Sequence, residues 1–131
     1  MTIDNVWPSN FNINNTITPP KNILNKQVEY FNESHQGLLT AQLGLKQDIS
    51  AAGTAYFVIS LSIKAPTLGN YSFLLLNLEH NINLYPCSIS DTLNGKPYTN
   101  LQNEEDVLNA LREIFNSAST IKAIGTLKAQ L

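Results

Sequence analysis

"AYFVISLSIK", residues 55–64, carries an apolar side chain at every odd position: Ala55, Phe57, Ile59, Leu61 and Ile63. Ser60, Ser62 and Lys64 lie opposite. Successive side chains of a strand point to opposite faces, so the stretch reads as a β-strand with one wet face. Its neighbours extend the pattern. In "LLTAQLGLK", residues 38–46, Leu39, Ala41, Leu43 and Leu45 are apolar, and Thr40, Gln42, Gly44 and Lys46 alternate with them. "QDISAAGT", residues 47–54, is a loop, and "APTLGN", residues 65–70, is a turn punctuated by Pro66 and Gly69.

"FLLLNLEHNINLYPCSIS", residues 73–90, then reads as a hairpin. Pairing Leu78 with Ile82 leaves Glu79, His80 and Asn81 as a short loop, and asparagine tolerates the left-handed backbone that such loops use. Leu76 then faces Leu84, and Leu74 faces Pro86. A shift of one residue would set Leu78 against Asn83 and waste burial. Pairing Phe57 with Leu78, Ile59 with Leu76 and Leu61 with Leu74 joins the preceding strand on the same face. The opposite face collects Tyr71, Phe73, Leu75 and Tyr85, with Ile89, Cys87, Tyr56 and Val58 beside them. These strands are therefore expected to be apolar on both faces. Either a helix, the N-terminal arm or another protein must cover the second one.

Helical periods flank the strands. "TPPKNILNKQVEYFNESHQG", residues 18–37, places Leu24, Val28 and Phe31 at i, i+4 and i+7, with Ile23 beside them. Thr18 is a candidate cap, proline suits a first turn, and Gly37 is a stop. Residues 92–103 read as a polar connection, with turns at Asn94-Gly95 and Lys96-Pro97. Asn103 caps a second helix. Glu104, Glu105 and Asp106 suit its positive end, and Val107, Leu108, Leu111, Ile114, Phe115 and Ala118 form its stripe. Residues 118–131 keep the period, as a continuation or as a separate helix.

The expected architecture is α+β: a four-stranded antiparallel meander with an N-terminal helix and one or two C-terminal helices, in the order α-β-β-β-β-α. The core is expected to gather Phe57, Ile59, Leu61, Leu74, Leu76, Leu84, Leu111 and Ile114. Residues 1–18 read as an extended asparagine-rich arm that docks through Trp7, Phe11 and Ile13. Residues 19–131 form one domain.

The 131 residues, 43% apolar and 14% charged, suit one folded core. The net charge of −2 with no basic stripe argues against nucleic acid. No run approaches the ~20 apolar residues of a membrane span. Met1 to Asn15 has neither a basic region nor an apolar stretch, so no signal peptide is read. With Cys87 alone, a reducing, cytoplasmic setting is expected.

Catalytic signatures are missing from the sequence: no G-x-S-x-G, H-E-x-x-H, paired cysteines or Walker glycine loop. His80 at a turn tip and Cys87 on the returning strand are expected to lie too far apart to share a metal or a proton. His35 falls at a helix end. No catalytic residue, metal or cofactor is expected. The reading is a non-enzymatic protein-binding module (an adaptor, an accessory subunit or an immunity-like inhibitor). It would act through Tyr56, Tyr71, Phe73, Leu75 and Tyr85 on another protein or a second copy of the chain. The alternatives are a ligand-binding or catalytic domain, with a pocket between helices and sheet and Tyr56, Tyr71, Tyr85 and His80 as its polar groups, and a structural homodimer.

Overall fold

The computed structural model describes residues 2–11 and 17–131. Helix α1 (Pro20–His35) precedes strands β1 (Thr40–Ile49), β2 (Ala55–Ala65), β3 (Tyr71–His80), β4 (Cys87–Asp91) and β5 (Lys96–Leu101). Helices α2 (Glu104–Phe115) and α3 (Ala118–Lys128) follow. The strands form one antiparallel sheet in sequence order, β1-β2-β3-β4-β5. The expected α+β architecture is present, with five strands instead of four. The added strand is Lys96–Leu101, within the stretch expected to be a polar connection. An edge strand needs only backbone pairing and little apolar alternation, so composition did not reveal it.

All three helices pack on one face. Ile23 and Leu24 of α1, Val107, Ala110, Leu111 and Ile114 of α2 and Leu127 of α3 share one buried cluster with Ile59, Leu61 and Ile63 of β2. Helix α1 begins one residue after Pro19, with no side-chain cap, so Thr18 does not cap it. Gln36 ends it in the left-handed region, followed by Gly37 at φ 82°. Asn103 caps α2 by accepting from the Asp106 N–H at 2.9 Å. Ser117 starts α3 as a separate helix, accepting from the Thr120 N–H at 3.2 Å.

Register departs from the alternation in two places. Ile59 faces Leu78 and Leu61 faces Leu76, two residues from the expected pairing, which keeps the same face inward. Next to this pair the register shifts: Leu61 faces Leu76, but Ser62 faces Leu74. The extra residue, Leu75, forms a β-bulge, which reverses the facing of the residues before it. Thr92 holds the bulge: its hydroxyl donates to the carbonyls of Leu74 and Leu75, and its N–H donates to Leu75 at 3.1 Å. Leu75 is therefore in the core at 2% exposure, and Leu74, expected inside, is 37% exposed.

The second departure is the hairpin. Strand β3 runs on to His80, residues 81–86 form the loop, and Leu78 pairs with Ile89 and His80 with Cys87. The alternating Ile82, Leu84 and Pro86 belong to this loop. Leu84 takes a left-handed φ of 72° and lies outside the core cluster. Ile82 is exposed. The inward residues of β4 are thus Cys87, Ile89 and Asp91. Asp91 is buried, and its carboxylate accepts from the N–H groups of Leu93 and Asn94 and from the Asn94 amide. Phe57, also expected in the core, is half-buried at its margin against His80, with ring centroids 5.1 Å apart.

Candidate functional site

The five side chains expected to form a partner face do not share one. The bulge turns Phe73 and Leu75 toward the helices, where Phe73 faces Ile63 across the strands. Tyr71 is exposed beside α3, in a depression of about 570 Å³ also lined by Phe73, Leu93 and Leu127. Tyr85 lies in the β3–β4 loop, packed on the core. Its hydroxyl donates to the Thr18 carbonyl at 2.7 Å. Burial, then the nearby Cys87 and Glu104, pushes that hydroxyl up to about 12. Tyr56 alone remains on the outer face, opposite Asp48. Partial burial and the charges of Asp48 and Glu79 hold it above the ordinary tyrosine value. That outer face is otherwise mostly polar: Gln42, Lys46, Ser60, Asn77, Glu79 and Ser88 lie along it, and Ser60 donates to Asn77 at 2.6 Å. Val58, 5% exposed, and Leu74 are the apolar side chains among them, and the rest reads as the solvated face of an antiparallel sheet.

His80 and Cys87, expected to be far apart, are cross-strand partners. Their chemistry is nevertheless that of packing. Burial lifts the Cys87 thiol from 9.0 to about 11, which keeps it protonated at neutral pH and a poor nucleophile. The His80 ring lies on Phe57, with Nδ1 2.7 Å from the Asn81 carbonyl. His35 likewise stacks on Phe31, and its Nδ1 sits 2.7 Å from the Phe31 carbonyl. Among the described residues, no three His, Cys, Asp or Glu side chains are grouped to hold a metal. No helix among them is long and apolar enough to cross a membrane.

Cys87 has a measurable consequence. An acid whose folded pKa lies above its unfolded value adds stability below the unfolded value and loses it as the pH climbs through the folded one. Stability is therefore expected to fall between pH 9.0 and about 11. Cys87 would account for about 1–2 kcal/mol, discounted because it lines an open depression with His80, Pro86 and Ser88. Urea titrations at stepped pH should show that decline, and Cys87→Ala should lessen it, leaving the part that the raised Tyr85 hydroxyl contributes above pH 10.0. An unchanged slope in the variant would contradict the assignment.

The surface left without cover is the far half of β1. Helix α1 crosses the sheet obliquely. Its first turn adjoins Thr18 and Tyr85 near one end of the strands, and its last turn meets Ala41 at the other. Asn32 donates to the Ala41 carbonyl at 3.1 Å and accepts from the Ala41 N–H at 2.7 Å, so a side-chain amide closes the strand edge there. Beyond that point Leu45 is 55% exposed and Ile49 66% exposed, both on the helix side of the sheet. Among the described residues, strand β1 pairs with β2 alone. The other edge is better guarded. Strand β5 is short, carries Pro97, and bends at Asn100 with φ 56°. Trp7 and Phe11 of the arm are also exposed and touch each other, with centroids 6.0 Å apart. Neither is buried by docking as expected, and Ile13 lies outside the described residues. The β1 edge had a sequence signal, the alternation of residues 38–46, but no sign that the helices would leave its end bare.

Comparison with family models, with curated proteins and with solved structures finds no match to this chain.

Proposed function

We propose that this chain is a non-enzymatic protein-binding module whose contact surface is the bare half of β1. The observation that carries the reading is the exposure of Leu45 and Ile49 on an edge strand whose outer side no element among the described residues pairs. An unpaired edge offers backbone donors and acceptors in a row, and adjacent apolar side chains add area that a partner can desolvate. The test places a photo-crosslinking residue at position 45 in cells. A discrete protein adduct is expected, and Gln47→Pro should abolish it. Absence of any adduct, or one indifferent to Gln47→Pro, would overturn the proposal.

A small-molecule domain is the second reading, and one observation favours it. A half-open groove of about 330 Å³ lies between the helices and the sheet, with Phe31, Leu61, Ile63, Leu75, Phe115 and Ile124 in its wall. Its size and apolar lining are those of a ligand pocket. Two of its polar lining groups are engaged locally. Ser34 donates to the Phe31 carbonyl, and Thr120 accepts from Ser117. Tyr56, Tyr71, Tyr85 and His80, the polar groups expected for such a pocket, are not in its lining.

A further inference from the structure

We infer that the partner at β1 is a second copy of this chain, paired antiparallel across a two-fold axis at Gln47. The inference rests on the binding-module reading and adds the identity and register of the partner.

Three observations fix the register. The first is the phase of the backbone. Both the N–H and the C=O of Ala41 point away from β2, since Asn32 bonds them. The β1–β2 pairing runs without a shift from Thr40 to Ile49. Odd residues of β1 therefore direct their amide groups outward, and Leu43, Leu45, Gln47 and Ile49 form the free edge. The Ile49 N–H agrees with this phase: it is taken by its neighbour's side chain, Asp48, at 2.8 Å. That local bond would be exchanged for a ladder bond on pairing.

The second is charge. Two copies of one strand, paired antiparallel, match residue i with a constant minus i. Centring on Gln47 sets Lys46 of each copy opposite Asp48 of the other. It also sets Leu45 opposite Ile49 on the helix side, and all hydrogen-bonded pairs are odd with odd, as the backbone phase requires. Centring one residue earlier sets Lys46 against Lys46, and opposed like charges across strands are unfavourable. Centring on Leu45 brings Ala41 into the ladder, where Asn32 already occupies the edge.

The third is room. The two-fold axis stands perpendicular to the sheet, so the helices of both copies lie on one side. The end of α1 that reaches β1 sits at Ala41, away from the axis. An isologous contact of this kind closes on itself and gives a dimer rather than a fibre.

Sedimentation of the full chain over a wide concentration range tests the inference. A monomer–dimer equilibrium is expected, weakened by salt. Lys46→Asp should weaken it at least about tenfold, because both cross-strand pairs become repulsive. Adding Asp48→Lys to Lys46→Asp should restore it, which no general loss of folding would do. Gln47→Pro should abolish the dimer with thermal stability nearly unchanged, since the N–H it removes faces away from β2. A monomer at every concentration, or a dimer indifferent to these variants, overturns the inference. In the crosslinking test, an adduct of twice the chain mass supports it. An adduct of any other mass overturns it and leaves the binding-module reading standing. The absence of any adduct removes both.

Discussion

Ile59→Asp is expected to lose about 3–5 kcal/mol of stability, because a carboxylate at this position has neither water nor a partner. Ile59 is buried between Leu45 and Leu78 on the neighbouring strands, inside the cluster shared with all three helices. A domain of this size typically has roughly 5–15 kcal/mol in total. The variant should therefore unfold at far lower urea or fail to fold cooperatively. A transition near the parental midpoint would mean that residue 59 does not face the core.

The second large effect separates two adjacent leucines. Leu75→Ala is expected to cost about 2–4 kcal/mol, and Leu74→Ala under about 1 kcal/mol. The order follows from the bulge. Leu75 contributes to the core and to the wall of the apolar groove, while Leu74 stands on the outer side opposite Ser62. Strict alternation along β3 demands the reverse, since Leu74, Leu76 and Leu78 would then share the inner face. Equilibrium urea denaturation of the two variants decides between the arrangements. A Leu74 variant that loses more than the Leu75 variant would show that the bulge is misplaced. The Leu75 cost should sit toward the lower part of its range where the open groove wall closes over the truncated side chain, because the cost falls as the residual cavity shrinks.

The same bulge accounts for what became of the aromatic sheet face expected from the pattern. Tyr71, Phe73 and Leu75 join Tyr56 on the outer face only if β3 alternates without interruption. One inserted residue sends all three to the helix side, and Tyr85 leaves the sheet for a loop. The contact surface proposed here is instead made of Leu45, Lys46, Gln47, Asp48 and Ile49. These are ordinary residues individually. Their significance lies in being at an edge, past the reach of α1.

Local pattern was sufficient for the elements whose burial is continuous. Period two in residues 38–46 and 55–64 marked β1 and β2, and the 3.6-residue stripe from Val107 to Phe115 marked α2 with its cap at Asn103. The antiparallel order followed from short connections. These features depend on which face of one segment is apolar, and that information is local. Other features depended on comparing distant segments. Strand β5 exists because β4 presents an edge to it. The register of β3 on β4 is set by a loop from Asn81 to Pro86, and Ile82 and Leu84 within it mimic a strand. The bulge at Leu75 is held by Thr92, from beyond the next strand. The bare end of β1 arises from the angle at which α1 crosses the sheet. A single segment's alternation records burial only up to such interruptions. Where one extra residue reverses the faces, the decision belongs to the packing of the whole chain.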